Sequence, residues 1–175
     1  MTGLSLDAHD VAAFRELLVL LHGVDGVVLP WPFLRRLKEV IGCDDLSFNG
    51  MDSRAEHHYL SQGTDGVTEW EIVGLRPWEE DPAFWAHYRE SRACSFPDTT
   101  GDLLTVTRIS DFYSDHEWRS TAMYQESLGP DGEEHEMMAC LPDGPGRSLR
   151  LLCMRGPGPD FGDREVFLLQ VLRPH

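Results

Sequence analysis

The sequence predicts an α+β fold: one central antiparallel sheet of about five or six strands with helices on both faces. Three observations carry that expectation. The apolar period is helical near the N-terminus, changes to two from Asp44, and returns to helical after Asp163. Turn-rich segments separate neighbouring strand candidates, most clearly Pro142-Asp143-Gly144-Pro145-Gly146. The continuous strand–helix–strand alternation of a parallel sheet is missing. At 175 residues the chain suits one domain with a full core, and no repeat, low-complexity tract or linker divides it.

Each element follows from local signals. Asp7 is placed as the N-cap of a helix running to about His22, before Gly23. Val11, Phe14, Leu18 and Leu21 line one face of it and Ala13, Leu17 and Leu20 a neighbouring one, a stripe wider than one packing surface requires. A second helix opens at Pro32, repeats Phe33, Leu34, Leu37, Val40 and Ile41, and stops at Gly42. Leu46 and Phe48 alternate on a strand, Asn49-Gly50 with Asp52-Ser53 supplies turn residues, and Ala55 to Ser61 returns. Val67 to Val73 is a further strand candidate, and Pro77–Ser91 a short aromatic helix after a proline-bearing loop. Leu103 to Ile109 reads as a strand, and Ser114 or Asp115 caps a helix reaching about Glu126. Glu134–Leu141 and Ser148–Arg155 form the last hairpin, followed by a helix over Asp163–Leu172. That helix stops at the edge of its apolar pattern, the expectation for a domain that continues into something longer.

Charge bounds the partners. Fifteen Lys+Arg stand against thirty Asp+Glu, a formal net charge of −15. Such a surface repels phosphate backbones and anionic headgroups, so these residues are not expected to bind nucleic acid or membrane by themselves. The apolar run Leu17–Leu21 is too short to span a bilayer, and Met1–Ser5 opens no leader pattern, so the protein is expected to be cytoplasmic. Cys43, Cys94, Cys140 and Cys153 form no CxxC pair and read as reduced, buried thiols. Cys140 and Cys153, on the two strands of the last hairpin, are the pair that could approach each other.

Catalytic signatures are missing: no phosphate loop, no GxSxG elbow, no HExxH, no dinucleotide fingerprint. His57 and His58 would point to opposite faces of a strand, and His116 lacks chelating neighbours, so no metal or cofactor is assigned. The acidic groups Glu79-Glu80-Asp81 and Glu133-Glu134 with Glu136 read as solvated charge beside turns. The aromatic residues are the candidate site. Trp78, Phe84, Trp85 and Tyr88 fall within one stretch. Phe112, Tyr113 and Trp118 arrive from the next strand–helix junction. They read either as core beneath irregular helices or as the wall of a small-molecule pocket. With anionic residues crowding the surface, a neutral or cationic aromatic-compatible guest is expected.

The segment Ile109-Ser110-Asp111-Phe112-Tyr113-Ser114, followed by Glu117-Trp118-Arg119-Ser120-Thr121-Ala122-Met123-Tyr124, resembles a segment of certain LuxR-type transcription regulators. So do Arg155-Gly156-Pro157-Gly158-Pro159-Asp160-Phe161-Gly162-Asp163-Arg164-Glu165, the strand opening Glu134-His135-Glu136-Met137, and Leu172-Arg173-Pro174-His175. The match is close over residues 100–175 and general over 1–60. Gly162 stands where that family usually has a serine N-cap, and Ala122 where it usually has proline. The resemblance implies a GAF-like sensory or dimerisation domain, not an enzyme, over residues 1–175, with DNA contacted only through a helix-turn-helix beyond residue 175. It transfers no ligand residue. The surplus apolar faces of the first and last helices imply a homodimer through them. The alternatives are a ligand-free dimerisation module, or a thiol-dependent methionine sulfoxide reductase of the GAF-like type.

Overall fold

The computed structural model describes residues 7–22, 28–65, 68–74 and 81–173. Trp78, Glu79 and Glu80, the cap at Gly23, and Val67 lie outside them. The described elements are α1 (Ala8–Leu21), α2 (Trp31–Ile41), β1 (Asp45–Asp52), β2 (His57–Asp65), β3 (Thr68–Val73), α3 (Pro82–Tyr88), α4 (Phe96–Thr100), β4 (Thr107–Arg108), α5 (Asp115–Arg119), a π-helical turn (Tyr124–Leu128), β5 (His135–Pro142), β6 (Arg147–Arg155) and α6 (Asp163–Leu172). Six strands form one antiparallel sheet in the order β3-β2-β1-β6-β5-β4.

The first two helices begin and end where their signals stand. Asp7 accepts from the Asp10 N–H at 2.8 Å while Asp10 reaches back to the Asp7 N–H, a reciprocal capping box. Gly42 closes α2 in the left-handed region at φ 69° and donates to the Lys38 carbonyl. Leu17, Phe33, Leu34, Leu37 and Ile41 then pack with Leu168 and Leu169 of α6 on one side of the sheet, over Leu46, Met137 and Cys153. The opposite side carries a second buried cluster in which Trp85, Tyr88, Tyr113, Trp118 and Met123 surround Met51. Terminal helices on one face and aromatic segments on the other is the layering the patterns predict.

Three local expectations are corrected. Asn49-Gly50 makes no turn but runs through β1, paired with Ser61 and Leu60. The glycine is needed for close approach: a Cβ on Gly50 would stand 2.3 Å from the Tyr59 ring, at a register shift between β1 and β2. The hairpin turns instead at 53–56, where Asp52 Oδ1 accepts from the N–H groups of Arg54 (3.1 Å) and Ala55 (3.0 Å) and Glu56 is left-handed at φ 53°. The strand expected over Leu103–Ile109 shrinks to Thr107–Arg108. Side chains take its ladder donors: Asp102 accepts from Leu104 and Thr105, Gln170 from Val106, and Asp111 from Arg108. The helix capped by Ser114 ends at Arg119, because Ser120 and Thr121 hydroxyls bond back to the carbonyls of His116 and Trp118, and the chain resumes as the π-helical turn.

The final hairpin holds its expected place, but Cys140 and Cys153 do not meet. Cys140 pairs with Arg150 and Cys153 with Met137, positions of opposite parity, so the two thiols lie on opposite faces. Cys153 instead shares the helical core with Cys43, whose Sγ donates to the Lys38 carbonyl at 3.9 Å. The loop after β6 is tied down by arginines. Arg155 donates to the carbonyls of Ile41 (2.9 Å), Gly42 (3.0 Å) and Asp160 (3.1 Å), with its guanidinium 4.2 Å over the Phe161 ring. Arg108 donates to the Phe161 carbonyl and pairs with Asp111 and Asp163, and Ser110 donates to Asp160. Two of the segments singled out in the sequence, around Ser110 and around Asp160, are therefore one interlocked structural unit. α6 begins at Gly162, which has no side chain to cap with; Glu165 accepts its N–H at 2.8 Å instead.

Candidate functional site

Strand alternation sends every second residue of β1, β5 and β6 away from the helical core. Ser47 and Asn49, Glu136 and Met138, Arg150 and Leu152 thereby share a floor beneath the aromatic cover. Between floor and cover lies a partly open cavity of about 370 Å³, bordered by Phe84 of α3 and by Ser127 and Leu128 of the π-helical turn. His58 enters from β2, its ring 5.5 Å from Phe84 and 4.9 Å from Trp85.

Of the rings singled out in the sequence, Phe84 lines this cavity. Trp85, Tyr88, Tyr113 and Trp118 are buried in the cluster backing it, and Phe112 packs there against Phe96 at 5.3 Å. Tyr113 donates nothing to the cavity; its hydroxyl accepts the Arg92 N–H at 2.7 Å.

Sequence reasoning missed the polar groups of the site. Arg150 is 2% exposed in the middle of the sheet. Its guanidinium is consumed by the structure around it: Nη1 donates to the Cys94 carbonyl (2.7 Å), Nη2 to Tyr88 Oη (2.6 Å) and Asp98 (3.3 Å), and Nε to Ser148 Oγ (3.0 Å). Tyr88 Oη in turn donates to Asp98, so a cation, a phenol and a carboxylate lock α3 and α4 onto β6.

Glu136 corrects the expectation of solvated charge. It is only 7% exposed, lines the cavity, and makes no hydrogen bond or ion pair among the described residues. Burial pushes its carboxyl up to about 7, against the opposing pull of the Arg150 charge. Glu133, half-buried at the same cavity, is pushed up to about 8 by burial and then by the charges of Glu136, Asp131 and Asp45. The Oδ1 atom of Asn49 is also buried without a hydrogen bond. A period-two strand pattern that puts a glutamate on the inward face beside a methionine run, Glu136-Met137-Met138, is the one signal from which this could have been read.

Other places offer less. A depression of about 400 Å³ is lined by Arg54, Arg89 and Arg147, but Arg147 is spent on Asp143 (3.3 Å) and the Tyr59 ring, and Arg89 on Ser53 and Glu56. Asp7, His9 and Asp10 bring possible metal-ligand atoms within 4.8 Å of one another at the start of α1. Asp7 and Asp10 are already committed to the capping box, and Asp10 to an ion pair with Arg164. No helix among the described residues is long and apolar enough to cross a membrane.

Scans of the sequence against protein-family models and against curated proteins give no match. Solved structures do resemble it. The VqsR LBD domain from Pseudomonas aeruginosa matches with a TM-score of 0.53 at 15% identity, over 96% of this chain and 92% of that one. The N-acylhomoserine lactone-dependent LuxR-family transcription factor CepR2 from Burkholderia cenocepacia matches with a TM-score of 0.53 at 11% identity, over 95% of this chain and 89% of that one. At such low identity the likeness speaks for architecture alone, and over nearly its whole length this chain shares the α+β fold of these two structures.

Proposed function

We propose that this chain is a sensory domain of a LuxR-type bacterial transcription regulator, which takes a small molecule into the cavity between its sheet and its aromatic cover. The observation that carries this reading is the cavity itself. It is a partly open pocket of about 370 Å³ in which apolar side chains such as Phe84, Met138 and Leu152 stand beside polar ones, among them Glu136 and the unbonded Oδ1 of Asn49. The ligand would touch the floor (β1, β5, β6) and the cover (α3 and the π-helical turn) at once. Differential contact with the cover is how occupancy would reach the rest of a regulator. CepR2's dependence on an N-acylhomoserine lactone is not carried over, because that compound class presents a single amide N–H and several oxygen acceptors to a site already rich in acceptors.

Self-association through α1 and α6 is the second part of the reading. Val19 is 72% exposed on α1, and Phe167 and Val171 are half-exposed on α6, which the Asp10–Arg164 ion pair ties to α1. The reductase alternative finds no support in Cys94 and Cys140, which burial pushes up to about 12 and about 11, away from the thiolate such chemistry needs; Cys43, the thiol that is lowered, is buried on the opposite side of the sheet from the cavity.

The test is ligand-dependent stabilisation abolished by filling the cavity. A panel of small cationic, neutral and anionic aromatic-aliphatic compounds should contain members that raise the melting temperature by several degrees at saturation, since a hundredfold excess over Kd stabilises by about 2.7 kcal/mol. Leu152→Trp, which projects an indole into the same space, should abolish the shift while keeping the fold. A panel that stabilises parent and variant alike places binding elsewhere and refutes the proposal.

A further inference from the structure

We propose, resting on the cavity reading above, that the ligand is an organic cation: an ammonium whose N–H groups meet the Glu136 carboxylate while its apolar body lies against Phe84, Met138 and Leu152. Glu136 is more than nine-tenths buried, faces the cavity, and has no hydrogen bond or ion pair among the described residues. A buried carboxylate in that state is missing its counter-charge, and proteins retain such groups where a bound partner completes them.

The nearest cation does not complete it. Arg150, the cation on the adjacent strand, has four of its N–H bonds drawn to Ser148, Cys94, Tyr88 and Asp98, and the Asp98 carboxylate balances its charge. Two neutral donors at the cavity are also committed: Asn49 Nδ2 to Ser47 Oγ, and Ser127 Oγ to Asp81. Acceptors remain. Asn49 Oδ1 is buried and unbonded, and Asp131 adds negative charge to the same lining. The complement of such a surface is a donor carrying positive charge, with no oxyanion of its own. Rings and thioethers supply the rest, since Phe84 and the methionines of the floor offer faces on which an aryl or alkyl body, or the cation's own methylene groups, can lie.

The experiment uses three isosteric probes, 4-phenylbutylammonium, 4-phenylbutanol and 4-phenylbutyrate, titrated calorimetrically into the whole chain at pH 8. The ammonium is expected to bind at least tenfold tighter than the alcohol, with the carboxylate weaker still. Glu136→Gln should bring the ammonium-to-alcohol ratio close to one while leaving alcohol binding in place, a loss of selectivity that mere destabilisation would not produce. Asn49→Asp, which adds a second carboxylate, should widen the ratio. Alcohol or carboxylate binding as tight as the ammonium, and removed by Leu152→Trp, would overturn the charge assignment while leaving the sensory cavity standing. Binding of none of the three probes by the parent chain would overturn both.

Discussion

Among the described residues Glu136 is a carboxylate buried with no bonded partner, and replacing it by glutamine removes that charge. The residue is 7% exposed, and its carboxyl is pushed from the ordinary 4.5 to about 7 by burial. The charged groups acting on it are Arg150 from β6, which pulls the value down, and Glu133 before β5; the thiols of Cys94, Cys140 and Cys153 lie within its field. An acid raised in the folded state binds its proton more tightly there than in the unfolded chain. The stability this contributes is present in full below about 4.5 and lost as pH rises through about 7. At about 1.4 kcal/mol per unit, roughly 1.4 kcal/mol has gone by pH 5.5 and roughly 3 kcal/mol by pH 8. The glutamine variant cannot ionise and escapes that loss, while its neutral amide is as poorly bonded as the protonated acid. Its advantage over the parent should therefore grow by roughly 2 kcal/mol between pH 5.5 and pH 8. Both values stay above the isoelectric point near 4.7, where the net charge that keeps chains apart vanishes. Urea unfolding at the two pH values reads this directly, as a difference of about 1 M in how far the two midpoints are separated. A gap between variant and parent that is the same at both pH values would show that the Glu136 carboxylate is solvated or bonded in the folded chain.

Two further outcomes are expected. Val19→Glu places a carboxylate on the exposed face of α1 and should raise the dimer dissociation constant tenfold or more by light scattering, because each valine buried at an interface is worth about 1.5 kcal/mol and two are lost; a parent chain that is monomeric at tens of micromolar (an order-of-magnitude concentration) sinks the dimer. A thiol reagent at pH 8 should modify Cys43 first in the folded chain, since its interaction with the neighbouring Cys153 lowers its thiol while burial raises Cys94 and Cys140. Cys43→Ser should delete that fast phase, and early reaction at Cys94 would contradict the buried assignment.

The elements of this protein were legible wherever a local rule acts alone. Asp7 with Asp10, Pro32 with Gly42, Ser114 with Glu117, and the apolar period of α6 each bring their own hydrogen-bond or packing logic, so the sequence by itself determined those helices and the layer order they imply. Errors fell where tertiary partners outbid the local signal. Asn49-Gly50 carries a turn signature but sits where the Tyr59 ring needs a residue without a side chain. Leu103–Ile109 has strand composition, but its N–H groups are taken by Asp102, Gln170 and Asp111.

The candidate site divides in the same way. Its aromatic cover announces itself in the sequence, because Phe84, Trp85 and Tyr88 cluster along the chain and share one short helix. Its polar floor does not. Glu136, Asn49 and Arg150 come from three strands, and each looks like an ordinary surface residue until the register Asn49↔Arg150 and Glu136↔Met154 turns all three under the cover. A carboxylate's burial is a property of what packs over it, from residues up to a hundred positions away in the chain (on the order of a domain's length). Composition fixes how many charges this protein carries; only the tertiary structure decides which of them is kept from water.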